Sequence, residues 1–479
     1  MEFSHELHHR RFSHPDAQRR FRLLDDQREL RQALDYPWDQ WIVFLHPTQR
    51  RIVERTLNGP GRVSGPAGTG KSVVGLHRAA RLARRDDARI LLTTYSRTLA
   101  ARLGHSADIL MGADTPVRKR VTVDHLHRVA VRLRARLGGG AFKAVGSREM
   151  VEFLDIANRR VGQGMFLTAF VCAEWDALIE PRWLADWASY REISRAGRGT
   201  PLGARQRLRI WIVCEQAREL LRERGLMTWS QLCHDTAERL QTSVTRPFHH
   251  VIADEAQDFG PAEMRLVRAL ANEGTDDLFF CGDMGQRIYK QPFSWASMGI
   301  DTRGRASQLK VNYRTTEEIR RFADRMLPGA IIDGDGEREA RQGISLLNGP
   351  EPAMRGFTDT ERVLRERASA ALDLCGVAGQ ELSDDSPIAP ARVSIGTMHR
   401  AKGLEFKAVI VIGVSSDLLP TPAALRGHLD PADREALLEQ ERQLLYVACT
   451  RAREHLLVTH TGEPSEFLHA FDAAETPAR

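Results

Sequence analysis

The segment GPAGTGKS, residues 65–72, constrains the fold of this chain more than any other feature. It matches the pattern G-x-x-x-x-G-K-[ST], follows the short apolar segment RVS and precedes the amphipathic segment SVVGLHRAARLA. Glycines let the backbone curl so that successive N–H groups and the N-terminus of the next helix face a phosphate group. The order of strand, loop and helix therefore predicts an α/β fold with a phosphate-binding loop shaped by Gly65, Gly68 and Gly70.

A second apolar strand ends in acidic residues. The segment VIADEAQD, residues 251–258, runs from three apolar residues into Asp254 and Glu255. If this strand lies in the same sheet as the phosphate loop, its carboxyl end brings Asp254 to a Mg²⁺ ion and Glu255 to the water that attacks the γ-phosphate of ATP. Lys71 would then reach the β- and γ-phosphate oxygens, and Ser72 would bind the Mg²⁺. The two segments together predict ATP and Mg²⁺ as ligands.

Strands and helices alternate along much of the chain. RILLTTYS is followed by RTLAARLG, and HHVIADEA is followed by PAEMRLVRALAN, which indicates parallel sheets covered on both faces. The stretch of about 129–245 has a helical pattern, several tryptophans and no strand signal, and we interpret it as an insertion. The predicted divisions are a charged N-terminal segment at 1–45, a first α/β domain at 46–128 and 246–300, the helical insertion at 129–245, and a second α/β domain at 301–470.

Composition narrows the class of protein. The net charge of +6 favours a polyanionic partner. The six cysteines are scattered without a C-x-x-C pair, which argues against a zinc site or a disulfide framework and is typical of a reducing cytoplasm. The chain has neither an apolar run of about 18 residues nor an apolar N-terminal region, so we expect a cytoplasmic protein without a membrane helix.

Six motifs follow one another along the chain. They are GPAGTGKS (65–72), DEAQD (254–258), GDMGQRIY (282–289), NYR (312–314), GTMHRAKGLEF (396–406) and LLYVACTRAR (444–453). With these motifs in this order, the chain resembles the superfamily 1 DNA helicases of the UvrD/Rep/PcrA type over residues 42–460. The resemblance implies two RecA-like parallel-sheet domains, with the helical insertion in the first, that close on ATP.

The resemblance implies further residues around the base and sugar of the nucleotide. Gln49, in a short segment ahead of the phosphate loop, would recognise adenine, and Tyr313 would stack on the adenine face. Glu405 in KGLEF resembles the residue that holds the ribose.

The same resemblance implies residues that act on the γ-phosphate. Arg314 and Arg451 would reach it from the second domain as arginine fingers, because a guanidinium stabilises charge that spreads over the phosphoryl oxygens. Gln286 would contact the γ-phosphate and couple the nucleotide state to DNA.

Single-stranded DNA is the partner that the family resemblance implies. Aromatic side chains would stack on bases while threonine and histidine bind phosphates, which grips a strand without selecting its sequence. The residues that match the family's nucleic acid contacts are Arg78, Tyr95, His125, Tyr289, Thr397 and His399.

The chain departs from the family pattern in two places. Position 291, where a tryptophan is usual, is Gln, and the next tryptophan is Trp295. Only about 80 residues separate Arg314 from Thr397, so the accessory 2B domain that the family inserts there is reduced to about 331–390. Within it we expect LCGVAGQELSDDSPIAP (374–390) to be a polar loop. Duplex handling would then come from the insertion, the N-terminal segment or a separate protein partner.

Two functions remain open from the sequence. The first is an ATP-dependent 3′–5′ translocase or helicase on single-stranded DNA, acting at a junction with duplex. The alternative is a nucleic-acid-stimulated ATPase switch subunit that controls a partner protein and unwinds little itself. A phosphate-loop enzyme acting on small molecules is disfavoured, because it leaves Arg314, Arg451 and KGLEF without a role.

Overall fold

A computed structural model describes most of the chain. Its described residues are 45–193, 195, 201–288, 293–341, 343–357, 372, 376–382, 392–422 and 431–468. The predicted N-terminal segment 1–45 lies outside this set except for Leu45. Within the described residues, no helix combines the length and the apolar character needed to span a membrane.

A six-stranded parallel sheet forms the centre of the first half. Its four inner strands are buried almost throughout, as expected for a parallel sheet covered by helices on both faces. The order along the sheet is β3-β2-β4-β5-β1-β6. The strands are β1 (Gly61–Ser64), β2 (Ile90–Thr94), β3 (Val121–His125), β4 (His250–Ala253), β5 (Leu278–Gly282) and β6 (Ala306–Gln308), and the helices preceding the insertion are α1 (Pro47–Glu54), α2 (Lys71–Leu82), α3 (Arg97–Met111), α4 (Pro116–Lys119) and α5 (Leu126–Arg136).

The sheet register places the predicted phosphate loop and the acidic strand end on the same edge. Ser64, the last residue of β1, pairs with Gly282 of β5, and Ala253 of β4 pairs with Phe280 of β5. The loop after β1 and Asp254 after β4 therefore both leave the carboxyl edge of the sheet, one strand apart. This edge is where parallel α/β sheets bind ligands.

The helical insertion has a hydrophobic core of its own between residues 145 and 226. At its centre, the guanidinium of Arg218 lies 5.3 Å from the ring centroid of Trp211 and 5.5 Å from that of Trp175. Its elements are α6 (Ser147–Val161), α7 (Thr168–Glu174), a π-helix (Trp175–Ile179), α8 (Trp187–Glu192) and α9 (Ala204–Glu223).

Helix α10 (Trp229–Gln241) connects the insertion to the sheet. It packs against α5 and against α11 (Pro261–Leu270), and its buried residues Leu232 and Ala237 belong to the core on the sheet. The separate core of the insertion is therefore narrower than the predicted 129–245.

The second half is also α/β. Helices α12 (Glu317–Asp324) and α13 (Pro431–Cys449) share one core with the sheet β11-β15-β14. Together with the first sheet, this confirms the predicted α/β class with parallel sheets in both halves. The strands are β7 (Val311–Thr316), β8 (Ala330–Ile332), β9 (Arg338–Ala340), β10 (Ile344–Leu347), β11 (Ala353–Phe357), β12 (Gly379–Glu381), β13 (Val393–Ile395), β14 (Phe406–Val411) and β15 (Ala452–Thr461).

One segment differs from the predicted loop at 374–390. Its residues Gly379–Glu381 form β12, which pairs in parallel with β13. Glycine, glutamine and glutamate have low strand propensity, and the backbone hydrogen bonds to β13 outweigh it. The second half therefore keeps one more paired strand than the composition of this segment predicts.

Arg78 is a core residue, which contradicts its predicted contact with nucleic acid. Its side chain on α2 is fully buried, lies over the ring of Phe279 at 4.5 Å, and donates to the Asp276 carboxylate at 2.5 Å and to the Arg55 carbonyl at 2.9 Å. The same carboxylate accepts a hydrogen bond from the backbone N–H of Leu57. Arg78 thus joins α2 to the end of α1 and to the turn before β5.

We expect Asp276→Asn to destabilise the protein. Asparagine tolerates the left-handed backbone at this position, where φ is 56°, but leaves the buried Arg78 without a counter-charge. Removing one partner of a buried ion pair costs about 3–5 kcal/mol, which urea unfolding followed by circular dichroism would measure. Asp86→Asn is the control, because the Asp86 carboxylate pairs with Arg120 while 99% exposed and should leave the transition nearly unchanged. Equal effects of both substitutions would contradict a core role for Arg78.

Candidate nucleotide and nucleic acid site

The phosphate loop has a backbone that only glycine accommodates. Gly68 and Gly70 have φ values of 78° and 80°, in the left-handed region that other residues rarely adopt. A β-carbon at Gly68 would lie 2.2 Å from Oδ1 of Asn312, and one at Gly70 would lie 2.4 Å from Nε2 of Gln49. A β-carbon at Gly65, whose φ is 151°, would lie 2.5 Å from the Leu309 carbonyl oxygen. The loop is therefore shaped by both its own torsions and its close neighbours.

Lys71 and Ser72 begin helix α2 at the mouth of this loop. The ammonium of Lys71 donates to the carbonyls of Gly65 at 2.7 Å and Pro66 at 2.9 Å. The Ser72 hydroxyl is hydrogen-bonded to the Asp254 carboxyl group. The predicted phosphate and Mg²⁺ residues are thus brought together at the carboxyl edge of the sheet.

Asp254 is buried, and burial raises the pKa of its carboxyl group to about 7, with the neighbouring charge of Glu255 as the next cause. The hydrogen bond from Ser72 and the charge of Lys71 act in the opposite direction. A cation placed beside Asp254 would favour its ionised form for the same electrostatic reason.

Glu255 has a strained backbone, since its φ of 53° is unusual for a residue with a side chain. Its carboxylate accepts a hydrogen bond from Nε2 of Gln257 at 2.5 Å, and Oε1 of Gln257 accepts one from the Asp283 backbone N–H at 3.1 Å. Gln257 therefore fixes the Glu255 carboxylate relative to the end of β5.

Gln49 and Tyr313 both lie against the phosphate loop. Nε2 of Gln49 donates to the Thr69 carbonyl at 3.0 Å, and its Oε1 caps α1 by accepting from the His46 N–H. The backbone N–H of Tyr313 donates to the Gly68 carbonyl at 3.0 Å, and its ring centroid lies 5.5 Å from that of His46. Their roles toward adenine stay predictions, and their position beside the loop agrees with those roles.

Glu405 pairs with two arginines, one from each half. Nη1 of Arg314 lies 2.8 Å from its Oε1, and Nη2 of Arg102, on α3, lies 3.1 Å from the same oxygen. Arg102 also donates to the Gly403 carbonyl. Glu405 therefore orients Arg314, a contact that its predicted ribose role does not include.

Arg451 follows helix α13 and is buried. It donates to Oε1 of Gln286 at 3.1 Å and to the Val447 carbonyl at 2.9 Å. Burial lowers the pKa of its guanidinium to about 10, with the positive charge of Arg314 as the next cause. Gln286 in turn donates from Nε2 to the Asp283 carboxylate at 2.7 Å. The Gln286 amide thus connects Arg451 to Asp283. The two predicted γ-phosphate residues, Gln286 and Arg451, are in direct contact.

Lys402 is a contact between the halves to which the sequence assigned no role. Its ammonium lies 2.6 Å from the Asp258 carboxylate and donates to the Gln286 carbonyl at 2.5 Å, and both charged side chains are buried. A signal was present, because the chain has only seven lysines and this one lies in GTMHRAKGLEF.

Arg341 and Tyr446 were also missed. Arg341 directly follows β9. Its guanidinium lies 3.1 Å from the Asp283 carboxylate and 4.6 Å from the ring centroid of Tyr446. The Tyr446 hydroxyl accepts a hydrogen bond from the Ala67 N–H in the phosphate loop at 3.5 Å. In a chain so rich in arginine, nothing in the sequence distinguishes Arg341 from the arginines on the surface.

The residues predicted to bind nucleic acid fall into separate groups. Tyr95 follows the last residue of β2, and His125 is the last residue of β3. The two strand ends are adjacent, because Thr94 of β2 pairs with His125 of β3. Thr397 and His399 lie in an exposed turn after β13. Tyr289 lies outside the described residues.

Two tryptophans change the predicted stacking surface. Trp295 is 7% exposed and packs 4.9 Å from Phe280, so it is a core residue and does not replace the missing tryptophan at 291. Trp229, which the sequence did not single out, is 43% exposed and lies 5.0 Å from His127. An exposed indole at the start of α10 is thus available beside the strand ends that carry Tyr95 and His125.

The raised pKa of Asp254 predicts how stability depends on pH. Between its ordinary value of 3.8 and about 7, the unfolded chain loses this proton while the folded protein keeps it, so rising pH removes stability in that range. Thermal unfolding of nucleotide-free protein from about pH 5 to about pH 8 should show wild type losing stability relative to Asp254→Asn.

Asp301→Asn is the control, because hydrogen bonds from Arg303 lower the pKa of that carboxyl group and keep it ionised over this range. Its pH profile should parallel that of wild type. Parallel profiles for wild type and Asp254→Asn would contradict the raised pKa.

Comparison with known proteins agrees with this geometry. The family model of an AAA domain matches residues 49–292, just over half of the chain, and the UvrD-like helicase C-terminal domain matches residues 372–463. The chain is 26% identical over 291 residues to DNA helicase IV of Escherichia coli K12, covering 54% of this chain and 40% of that protein. It is 27% identical over 280 residues to a "Probable DNA helicase" of Mycoplasma pneumoniae, covering half of each.

A shorter match extends to another named helicase. The chain is 38% identical over 87 residues to ATP-dependent DNA helicase PcrA of Staphylococcus aureus MRSA252, covering 18% of this chain and 11% of that protein. The chain spans half or less of the length of these relatives. Both family models and the motif geometry lead to one assignment: the chain belongs to the superfamily 1 helicases of the UvrD/Rep/PcrA type.

Proposed function

We propose that this chain is an ATP-dependent translocase and helicase on single-stranded DNA that moves 3′ to 5′ and closes its two halves around ATP. The observation that carries the proposal is that Arg451 of the second half donates to Gln286 of the first and lies within the electrostatic reach of Glu255. Lys71, Ser72 and Asp254 come from the first half, and Arg314 and Arg451 come from the second.

The residues of the first half suit ATP and Mg²⁺. The described residues contain no cluster of three or more histidine, cysteine or acidic side chains that could hold a metal. Mg²⁺ does not need one, because it commonly uses one or two protein ligands together with phosphate oxygens and water. Ser72 and Asp254, which are hydrogen-bonded to each other, would supply such a pair, and Glu255 would accept a proton from the attacking water.

Arg451 suits a phosphate because the hydrogen bonds of its guanidinium go to neutral oxygens, although the charges of Glu255 and Glu405 also act on it. The four hydrogen bonds of its guanidinium go to neutral oxygens of Val447, Leu404, Gln286 and Thr450. A buried guanidinium with neutral partners gains more from an incoming anion than one already paired with a carboxylate. The γ-phosphate would supply that anion when the cleft closes.

Contacts from the DNA-facing turn to the nucleotide site suggest how the two are coupled. Lys402 follows the exposed turn that carries Thr397 and His399, and its ammonium holds both Asp258 and the Gln286 carbonyl. A strand bound at this turn would therefore act on Gln286, which contacts Arg451. Exposed Trp229 and half-buried Tyr95 would stack on bases of the same strand.

The test of the proposal is ATPase activity titrated with single-stranded DNA, RNA and duplex, followed by unwinding of a tailed duplex. We expect stimulation by single-stranded DNA and weak, non-processive unwinding, because the 2B insertion is reduced. Glu255→Gln should bind ATP without turnover, whereas Glu152→Gln, on an exposed site of the insertion, should behave as wild type.

Three results would contradict the proposal or a part of it. ATPase activity that no nucleic acid stimulates would contradict the proposed function itself. Robust unwinding of long duplexes by the purified chain alone would contradict the inferred effect of the reduced insertion, and 5′–3′ movement would contradict the polarity.

Arg451 should contribute more to ATP turnover than to ATP binding. Arg451→Ala should lower kcat by roughly 10³ with a smaller change in ATP affinity, because an arginine finger acts mainly on the transition state. The matched control is Arg453→Ala, which removes a neighbouring arginine on β15 whose guanidinium lies 3.7 Å from the Glu454 carboxylate. Steady-state kinetics with saturating single-stranded DNA would measure both, and equal activity of the two variants would refute the assignment.

A further inference from the structure

A cavity of about 630 Å³ lies between the helical insertion and helix α11. One wall comes from Pro181 and Arg182 of the insertion and His234 of α10, and the other comes from α11 and the residues that follow it. Its lining includes none of the residues assigned above to the nucleotide site. The cavity is therefore a concave surface separate from the proposed ATPase site.

Positive charge dominates this cavity. Four arginines and one carboxylate, that of Glu273, line it, and we call it the arginine cavity. The four are Arg182, Arg246, Arg265 and Arg268.

Only part of this charge is neutralised by nearby carboxylates. Arg268 is paired with Asp277 at 2.7 Å, and Arg265 approaches Glu238 only to 4.0 Å. Among the described residues, no carboxylate forms an ion pair with Arg182 or Arg246, and one terminal nitrogen of Arg246 is buried without a hydrogen-bond partner. The arginine cavity thus has guanidinium groups available for an anion.

The wall that carries Arg182 is held in place on both sides. The His234 ring stacks on Trp183 at 5.3 Å, and its Nε2 lies 3.3 Å from the Pro181 carbonyl. Arg218 donates to the Leu184 carbonyl at 2.8 Å. Burial lowers the pKa of His234 to about 4, so the ring is a neutral wall at neutral pH and adds no charge. The turn that carries Arg182 is therefore held by contacts on both sides.

We propose that the arginine cavity is a phosphate-binding site, whose ligand is either a phosphodiester of a nucleic acid or a free polyphosphate. The two unpaired planar guanidinium groups of Arg182 and Arg246 match the oxygens of a phosphate group, which accepts paired N–H···O bonds. The size of the cavity leaves room for more than one phosphate. The site is independent of the proposed ATPase, because it shares no residue with the nucleotide cleft.

The experiment compares two double variants with the same change in charge. Arg182→Gln/Arg246→Gln removes the two unpaired arginines of the cavity, and Arg148→Gln/Arg160→Gln removes two exposed arginines on α6. Both are tested with Mg-ADP saturating the phosphate loop. One probe is tripolyphosphate, measured by calorimetry, and the other is a fluorescent tailed duplex, measured by anisotropy over a series of salt concentrations.

Two outcomes support the site and distinguish its ligand. Loss of tripolyphosphate binding with unchanged DNA affinity identifies a free polyphosphate. A DNA affinity that falls about tenfold, with a salt dependence reduced by about two in log–log slope, identifies nucleic acid phosphates, since each neutralised phosphate contributes about 0.9. Arg182→Lys/Arg246→Lys should restore part of either loss. If the cavity variant and the α6 variant bind both probes equally, the proposal is overturned.

A measurement on the unmodified sequence keeps the proposal testable if the cavity variant does not fold. Phenylglyoxal reacts with accessible arginines, and mass spectrometry identifies the modified positions. Tripolyphosphate or DNA should protect Arg182 and Arg246 but leave Arg148 and Arg160 reactive. If neither tripolyphosphate nor DNA protects Arg182 and Arg246, the proposed phosphate site is wrong. ATPase activity is recorded separately, so failure of the proposed function would be recognised as a different result.

Discussion

The amide of Gln286 is the contact on which the nucleotide cleft depends. Its Nε2 donates to the Asp283 carboxylate of the first half, and its Oε1 accepts from Arg451 of the second. Only a side chain with both a donor and an acceptor can serve these two partners, because a carboxylate would repel Asp283 and an ammonium would repel Arg451. Its backbone carbonyl also accepts from Lys402. A shift of either half therefore changes the environment of Gln286.

Buried charges surround this amide, and they come from both halves. Asp258 pairs with Lys402, and Asp283 pairs with Arg341. Such pairs add little stability, because removing both ions from water offsets most of their attraction, but they favour one relative position of the groups that form them. Arg451 differs, since its partners are neutral. The pairs Asp258–Lys402 and Asp283–Arg341 therefore align the two halves. The Arg451 guanidinium would gain an ion pair when an anion binds in the cleft.

Sequence patterns predicted the parts of this site whose chemistry is local. The phosphate loop and DEAQD were recognisable because each functional group lies within a few residues of the strand or helix end that positions it. Arg78 was assigned wrongly, because its partner Asp276 is almost two hundred residues away and only the folded sheet brings them together. Arg341 was missed for the same reason. Strand β12 was predicted as a loop because its pairing with β13 depends on tertiary contacts.

The reduced region after β7 also has a role that its length did not predict. The hairpin of β8 and β9 packs on the first half, where Arg62 of β1 pairs with Asp333 at 2.7 Å and Asp335 accepts from the Trp295 N–H. The polar groups of this hairpin that are used in the contact therefore join the two halves. The insertion carries the exposed Trp229 at its base and one wall of the arginine cavity, so its side of the first half has the chemistry for base stacking and phosphate binding.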